Sequence, residues 1–207
     1  MKIVQTETLI SIGPYAKSAE WKTIRDSAHA AVAACEWPAG SGSFTIYPES
    51  GKKRGAGNGV KPIKDAAIKQ LVSKPVLGSH WQPELTWPVA GRVKPGNMDA
   101  GFLGASGLVC FEWETGNISS SHRSLNKISL GLLKGLIKAG ILVVPSQALY
   151  PFLTDRIGNI GELEPYFDLW RSIECSDGVF EIIVIEHDAT STSVPRIPKG
   201  TDGRALS

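Results

Sequence analysis

Two glutamates near the middle of the chain carry the strongest chemical signal in the sequence. They stand two residues apart in the apolar stretch LVCFEWE, as Glu112 and Glu114. In an extended strand alternate side chains point to the same side, so both carboxylates share one face, about 7 Å apart. Two such charges in apolar surroundings repel each other and lose hydration unless a cation lies between them. The spacing therefore predicts a site for a divalent metal ion.

A third carboxylate stands upstream of this pair. The segment GRVKPGNMDAGFLGASGLVCFEWE predicts two strands joined by a glycine-rich turn, with Asp99 on the first strand. Across such a ladder Asp99 can lie beside Glu112 and supply the further oxygen ligand that hard cations need, which favours Mg²⁺. The alternative is an exposed edge strand with two solvated glutamates, since the D…ExE spacing alone is compatible with both.

Carboxylates that hold a metal ion suit phosphodiester hydrolysis, because the ion activates a water and stabilises the leaving oxygen. Glycoside hydrolysis is disfavoured, since it needs an acid and a base on opposite sides of a sugar. A Ser-His-Asp site at Ser119 to Ser121 beside His122 lacks a GxSxG elbow, and capping serines explain the pattern better. The glycines of GKKRGAGNGVKPIK do not follow the Walker spacing GxxxxGK[ST], so a loop that binds a nucleoside triphosphate is disfavoured as well.

Composition narrows the class of protein. The chain has 207 residues, 42% of them hydrophobic, and a formal net charge of +2, which fits one globular domain and excludes a highly basic, histone-like protein. Three cysteines without a CxxC pair favour reduced thiols, and the four histidines show no zinc-ligand spacing. No stretch is long and apolar enough to span a membrane, so we expect a soluble, cytoplasmic protein. The segment 51–64 is basic and predicts a flexible positive loop, either solvated or in contact with phosphate.

Helical and extended patterns alternate along the second half of the chain. Helices are predicted over 19–35, 64–72, 119–139, 147–153 and 161–173, and extended segments over 44–47, 140–145 and 179–187, the last of them as a strand with alternating side chains. This order predicts an α/β fold with a mixed central β-sheet flanked by helices. Residues 1–190 are predicted to form a single domain, and the polar, proline-punctuated stretch 191–207 a flexible arm. The first thirty or so residues carry no motif.

Three blocks in this order, ETGNISSSHRS, LTDRIGNIGELEPYF and IPKGTDGRA, resemble the BamHI family of Type II restriction endonucleases. Weaker similarity covers EWPAGSGSFTIYP and GNGVKPIK, so the resemblance extends from about residue 36 onward. It implies the PD-(D/E)xK nuclease fold and a restriction–modification system in which a homodimer cuts palindromic GGATCC, leaving 5′-overhangs. It also implies Mg²⁺ as the cofactor, with Mn²⁺ able to substitute and Ca²⁺ supporting binding without cleavage. The chain ends soon after IPKGTDGRA, as expected for shorter members that lack a C-terminal helix.

The resemblance assigns roles to the carboxylates. It implies that Asp99 and Glu112 hold the metal ion, with Glu84 and Trp113 as further ligands. Glu114 stands where most of the superfamily has lysine. A carboxylate must therefore position or deprotonate the attacking water.

The resemblance also implies a set of DNA contacts. Asn117, Ser119 and Arg123 lie at the start of a predicted helix, where free backbone N–H groups attract a phosphate and side chains can enter the major groove. Asp155 and Arg156 have the acceptor and the donors for the edges of C and G bases. Gly200 and Gly203 allow close approach to the minor groove. The residues are Asn117, Ser119, Arg123, Asp155, Arg156, Lys64, Gly200, Asp202 and Gly203.

Two other functions remain open at this point. One is a PD-(D/E)xK nuclease of different specificity, used in repair or selective for DNA structure. The other is a sequence-specific DNA-binding protein that has lost cleavage.

For the homodimer, the apolar stripe that runs from Leu125 to Leu136 predicts a surface on which two copies could pair symmetrically, an isologous contact.

Overall fold

The computed structural model of the protein describes residues 1–53, 55–88, 96–154 and 157–199. Its centre is a six-stranded mixed sheet with the strand order β1-β7-β6-β5-β4-β3, and a two-stranded sheet pairs β2 with β8. Strands β5, β6 and β7 run parallel, while β1, β4 and β3 pair antiparallel with their neighbours. The strands are β1 (Lys2–Ile12), β2 (Thr45–Ile46), β3 (Gln82–Pro83), β4 (Ala100–Leu103), β5 (Leu108–Trp113), β6 (Ala139–Pro145), β7 (Gly178–Glu186) and β8 (Ala189–Thr190).

Helices cover both faces of the large sheet. They are α1 (Ala19–Ala33), α2 (Lys61–Ser73), α3 (Ile118–Leu133), α4 (Ile160–Leu163) and α5 (Phe167–Arg171). Apolar side chains of α1 and α2 share one hydrophobic core with one face of β5, and those of α3, α4 and α5 share a second core with the other face. The predicted α/β fold is therefore confirmed. No helix in the described ranges combines the length and the apolar character that crossing a membrane requires.

Strand β5 shows the predicted alternation. Phe111 and Trp113 face the core under α1 and α2, while Cys110 faces the core under α3. The turn that joins β4 to β5 is closed by a hydrogen bond from the Gly104 N–H to the Gly107 carbonyl, 3.0 Å. Gly107 adopts φ 140°, which favours glycine.

The long helix α3 ends earlier than its sequence pattern predicted. It stops at Leu133, and Gly135 follows with φ 62°, a left-handed conformation that ends helices readily. The prediction of helix up to residue 139 is therefore wrong, because Ala139 already begins β6. The stripe predicted as a dimer surface is also used differently: Leu125 and Ile128 are fully buried in the protein's own core.

Three other predictions need correction. Residues 178–185 of β7 are buried without alternation, because helices cover both faces of this parallel strand. The expected helix over 147–153 is a single 3₁₀ turn at Tyr150–Phe152. The expected helix over 161–173 is divided into α4 and α5 by a 3₁₀ turn that contains Pro165.

The two ends of the described chain lie against the body. Strand β1 occupies the sheet edge beside β7, although no sequence motif pointed to it. Helix α1 begins where predicted, and the Ser18 hydroxyl accepts a hydrogen bond from the Trp21 N–H at 3.0 Å. In the segment expected to form a free arm, Ile197 is 1% exposed, so this part of it is docked. The predicted flexible loop over 51–64 is likewise packed in part, since Asn58 is fully buried and α2 begins at Lys61.

Candidate active site

Asp99 and Glu112 lie opposite each other at the end of the β4–β5 ladder. The register pairs Ala100 with Phe111, and the next position along each strand brings Asp99 to Glu112. Asp99 is fixed by its Oδ2 atom, which accepts a hydrogen bond from the Trp113 N–H at 2.8 Å. The main chain of β5 therefore orients the Asp99 carboxylate.

A lysine from α2 neutralises Asp99. Lys64 Nζ lies 2.5 Å from Asp99 Oδ1, and the two side chains are 35% and 15% exposed. Burial acts to lower the pKa of Lys64, but the hydrogen bond to Asp99 and the nearby charges of Glu114 and Glu112 outweigh it, so the pKa is raised. Lys64 is therefore held as a cation at the site.

Glu112 is more deeply buried and has a lysine of its own. Its Oε1 atom lies 2.5 Å from Nζ of Lys127 on α3, and the two side chains are 3% and 7% exposed. Lys127 also donates to the Asn97 carbonyl at 3.2 Å, two residues before Asp99. Burial raises the pKa of Glu112 to about 7 even though Lys127 acts in the opposite direction.

Glu114 lies just beyond β5 and is held by α3. The Ser124 hydroxyl donates to Glu114 Oε1 at 2.6 Å. Burial raises the pKa of Glu114, and the Ser124 hydrogen bond and the charges of Lys64 and Arg123 oppose this shift only in part. A carboxylate with a raised pKa is a better proton acceptor than an ordinary surface glutamate.

Glu84 differs from the other three acids. Its side chain is exposed, and it contacts the site through its main chain, where its N–H donates to the Asp99 carbonyl at 3.0 Å. Its backbone has φ 53°, a conformation that costs a residue other than glycine on the order of 1 to 3 kcal/mol. This left-handed residue directly follows β3 and turns the chain there.

The donor chemistry of this cluster fits a hard divalent cation, because the carboxylates of Asp99, Glu112 and Glu114 offer only oxygen. Within the described residues, however, no group of three or more His, Cys, Asp or Glu is close enough to hold a metal ion by itself. Mg²⁺ commonly binds through one or two carboxylates and completes its shell with water and substrate phosphate. Asp99 and Glu112, which the register places opposite each other, are the two carboxylates that would bind such an ion.

Polar side chains predicted to contact DNA lie beside this cluster at the start of α3. Asn117 is the N-cap, and its Oδ1 atom accepts from the Ser120 N–H at 3.1 Å, which leaves its NH₂ group free to donate elsewhere. Ser119 and Arg123 follow two and six residues further along the helix, and all three predicted residues are exposed. An open groove of about 560 Å³ runs along this side of the helix, lined by Ser119, His122, Arg123, Asn126, Lys127 and Leu130.

Comparison with known proteins settles the family. A family model described as restriction endonuclease BamHI matches residues 1–204. This chain belongs to the BamHI family. It is 41% identical over 206 residues to the Type II restriction enzyme OkrAI of Oceanobacter kriegii, covering 100% of both chains. It is 39% identical over 173 residues to the Type II restriction enzyme BamHI of Bacillus amyloliquefaciens, covering 81% of this chain and 75% of that one.

Membership in the BamHI family identifies the chain as a Type II restriction endonuclease, a hydrolase that cuts DNA at specific sites. The fold agrees with a solved structure of the restriction endonuclease BglII complexed with a DNA 16-mer. That structure matches with a TM-score of 0.57 at 11% identity and covers 95% of this chain and 88% of that one.

Some of the residues predicted to contact DNA lie outside the described part of the chain. These are Asp155, Arg156, Gly200, Asp202 and Gly203. The alternative Ser-His site has no support in the described residues. His122 packs edge-on against Tyr166, with ring centroids 4.8 Å apart, and also lies against Trp170.

Sequence reasoning missed two residues of this acidic cluster's surroundings, Lys127 and Ser124. Neither was singled out as a site residue in the sequence, yet both are buried and directed at the glutamates. Their positions give the signal that could have found them. Ser124 precedes Lys127 by three residues and the buried Ile128 by four, so these side chains lie along the face of the helix that turns toward the sheet.

Proposed function

We propose that this member of the BamHI family is a Mg²⁺-dependent enzyme of a cytoplasmic restriction–modification system that cuts both strands of GGATCC and leaves 5′-overhangs. The observation that carries the proposal is the position of the acidic cluster at the end of β4 and β5, directly beside the start of α3. A DNA backbone that lies along this helix end would place a phosphate against Asp99, Glu112 and Glu114. The residues that cut the DNA and those that recognise its sequence would then lie in the same stretch of the chain.

Asp99 and Glu112 are the residues that would hold the ion, with Trp113 and Glu84 adjoining them. Bound there, Mg²⁺ supplies Lewis acidity toward the phosphoryl oxygen and lowers the pKa of water. Lys64 and Lys127 form ion pairs with these two carboxylates. The negative charges of the cluster are therefore neutralised, and its side chains held in place, before an ion binds.

The chain's own residues support a hydrolytic step. Glu114, held by the Ser124 hydroxyl at 2.6 Å, is placed to accept a proton from the attacking water. As the water oxygen bonds to phosphorus, the bond from phosphorus to the 3′-oxygen breaks. The products are a 5′-phosphate and a 3′-hydroxyl. Lys64, with its pKa raised, provides a nearby positive charge for the phosphate.

Specificity would come from the residues at the start of α3 together with Asp155 and Arg156. A guanidinium can bind O6 and N7 of guanine in a bidentate manner, and an aspartate can accept from N4 of cytosine. Asn117 offers its free NH₂ group to a base edge because its oxygen is used in capping. Gly200, Asp202 and Gly203 would follow the minor groove.

A palindromic site requires two copies related by a two-fold axis. The buried stripe of α3 is not available for this contact, but the opposite side of the helix is. Three large apolar side chains lie exposed there and on the adjoining segment: Leu133 at 52%, Leu169 at 60% and Tyr166 at 48%. A second copy of the chain would cover this surface in an isologous contact.

The direct test is digestion of plasmid DNA by the purified protein with Mg²⁺, followed by sequencing of the fragment ends. Discrete ends within GGATCC with 5′-overhangs would establish the proposal. Discrete ends at another sequence would replace the specificity and keep the nuclease. Specific binding without any cut, measured in Ca²⁺ and again in Mg²⁺, would favour a DNA-binding protein that has lost cleavage.

A further inference from the structure

A buried asparagine, Asn58, lies where three separate stretches of chain meet. It belongs to the basic segment 51–64, and it is fully buried. The second stretch is 152–154, which follows β6 after a short turn, and the third is 195–199, the last part of the described chain. Neither the acidic cluster nor the start of α3 accounts for this junction.

The polar groups of the Asn58 side chain join these stretches to each other and to Tyr47, just before the basic segment. Its Nδ2 atom donates to the Tyr47 carbonyl at 2.9 Å and to the Phe152 carbonyl at 2.8 Å, and its Oδ1 atom accepts from the Ile197 N–H at 3.1 Å. Aspartate of the same size has no donor when ionised, and serine has only one. The junction therefore requires a primary amide at this position.

The main chain of Asn58 extends the same contact. Its N–H donates to the Phe152 carbonyl at 2.8 Å, and its carbonyl accepts from the Thr154 N–H at 2.9 Å. These bonds form a parallel bridge between Asn58 and Leu153. The stretch that ends at Thr154 is thus bound to Asn58 through a main-chain carbonyl and through a main-chain N–H group.

The glycines on either side of Asn58 make this close approach possible. A Cβ atom on Gly59 would lie 1.9 Å from the Pro198 carbonyl oxygen, and one on Gly57 would lie 2.6 Å from that of Leu153. Both distances are far shorter than a van der Waals contact. The sequence Gly-Asn-Gly is therefore fitted to two neighbouring backbones at once.

Further contacts hold the terminal stretch against the same loop. Arg196 forms an ion pair with Glu49 at 2.7 Å, and the other oxygen of Glu49 accepts from the Gly57 N–H at 2.9 Å. Lys199 Nζ donates to the Ala56 carbonyl at 2.9 Å. The peptide bond after Arg196 is consequently part of a packed structure.

Thr154 is followed directly in the sequence by Asp155 and Arg156, and Lys199 by the segment GTDG. Resting on the function proposed above, these are the two segments that would read the major and the minor groove. We propose that Asn58 is a specificity-determining positioning residue, which fixes the starting points of both segments relative to each other and to the nuclease core. Discrimination between the target and similar sequences would then depend on an amino acid that touches no DNA.

The test compares Asn58→Ala with the wild type in two measurements. The first is the rate of trypsin cleavage after Arg196, followed by mass spectrometry without DNA. The second is the ratio of cleavage rates on the wild type's own target and on duplexes that differ from it by one base pair. We expect faster release of the terminal stretch and at least a roughly fivefold fall in the ratio, since single mismatches are normally discriminated by that much or more.

Two further variants keep the test decisive. Gly59→Ala retains Asn58 but forces the Pro198 carbonyl away, so it should release the terminal stretch and lower the ratio even if Asn58→Ala fails to fold. Ser18→Ala removes the N-cap of α1, away from the junction. When Ser18→Ala is studied at a temperature at which its folded fraction equals that of Asn58→Ala, it should leave both measurements unchanged.

Unchanged trypsin cleavage, or faster cleavage with an unchanged ratio, would overturn the proposal. An equal fall in the ratio for Ser18→Ala would do so as well, because the effect would then be general destabilisation. If the wild type cuts no DNA at a specific sequence, the proposed function fails. The trypsin measurement would still show whether the Asn58 junction exists.

Discussion

Glu112 is a buried carboxylate whose charge is balanced by a single lysine, and its titration should be visible in the stability of the protein. Burial raises its pKa from 4.5 to about 7. As the pH rises from 4.5, the unfolded chain loses this proton first, so the contribution of Glu112 to the free energy of unfolding falls until about pH 7. The total change is roughly 3 kcal/mol.

The Glu112→Gln variant lacks this titration. We expect its free energy of unfolding, measured by urea denaturation in EDTA, to rise relative to that of the wild type from pH 4.5 to 7 and to level off above pH 7. A difference between the two proteins that stays constant with pH would mean that Glu112 titrates in the folded protein as it does in the unfolded one.

Glu114 is assigned to proton transfer, and its substitution should separate binding from cleavage. Glu114→Gln keeps the shape of the side chain and its acceptor oxygen for Ser124, but it cannot take a proton. We expect single-turnover cleavage to fall about 10²-fold or more, with DNA affinity in Ca²⁺ nearly unchanged. Glu174→Gln, at an exposed glutamate, should behave like the wild type. Equal cleavage rates for the Glu114 variant and the wild type would remove Glu114 from the mechanism.

Individual residues show how far sequence reasoning reaches. The shared face of Glu112 and Glu114 and the neighbouring position of Asp99 follow from strand alternation and a short turn, which are local rules. Lys127 could not be placed in the same way, because a lysine among apolar residues is normally expected at the surface. Its burial depends on how α3 packs onto β5, and this is a property of the tertiary structure.

Helix α3 packs directly onto a glycine of β6, Gly140. A Cβ atom on Gly140 would lie 2.2 Å from Cγ2 of Ile128. Gly140→Ala should therefore push α3 outward, together with Ser124 and Lys127, and reduce the free energy of unfolding by about 1 to 3 kcal/mol.

Ile128→Ala creates space at the same point. In urea denaturation, we expect the double variant Gly140→Ala/Ile128→Ala to lose less stability than the sum of the single losses, with a coupling of at least roughly 0.5 kcal/mol. Additive losses would show that Gly140 and Ile128 do not determine the spacing between helix and sheet.

At the level of elements, helices and strands were predicted where their patterns were local and strong. The start of α1 followed from Ser18, and β6 followed from its run of apolar residues. The end of α3 was missed because the leucine pattern continues past Gly135, and only the left-handed backbone at that glycine ends the helix. Strand β1 was missed because most of its side chains stay partly exposed at the sheet edge, and because its partner β7 is distant in the sequence, with Lys2 opposite Glu186.

For the whole molecule, the exposed leucines near α3 and α5 predict how two copies meet. Leu133→Asp places a charge in the proposed contact, which an isologous dimer would bury twice. We expect sedimentation velocity at micromolar concentration to show a dimer for the wild type and a monomer for this variant. Leu77→Asp changes a leucine of similar exposure, 56%, in a turn on a different part of the chain and should remain dimeric. A variant Leu133→Asp that sediments like the wild type would place the contact elsewhere.

The pairing of β1 with β7 also bears on when the enzyme can become active during synthesis. Lys2 faces Glu186 in this ladder, so the first strand made must wait for the last large strand before it can pair. At typical elongation rates this wait is on the order of 10 s or more. Strand β7 also supports β6, on which α3 rests. A chain whose synthesis stalls before residue 178 would therefore lack a finished sheet, and the active site would be assembled only after β7 has been made.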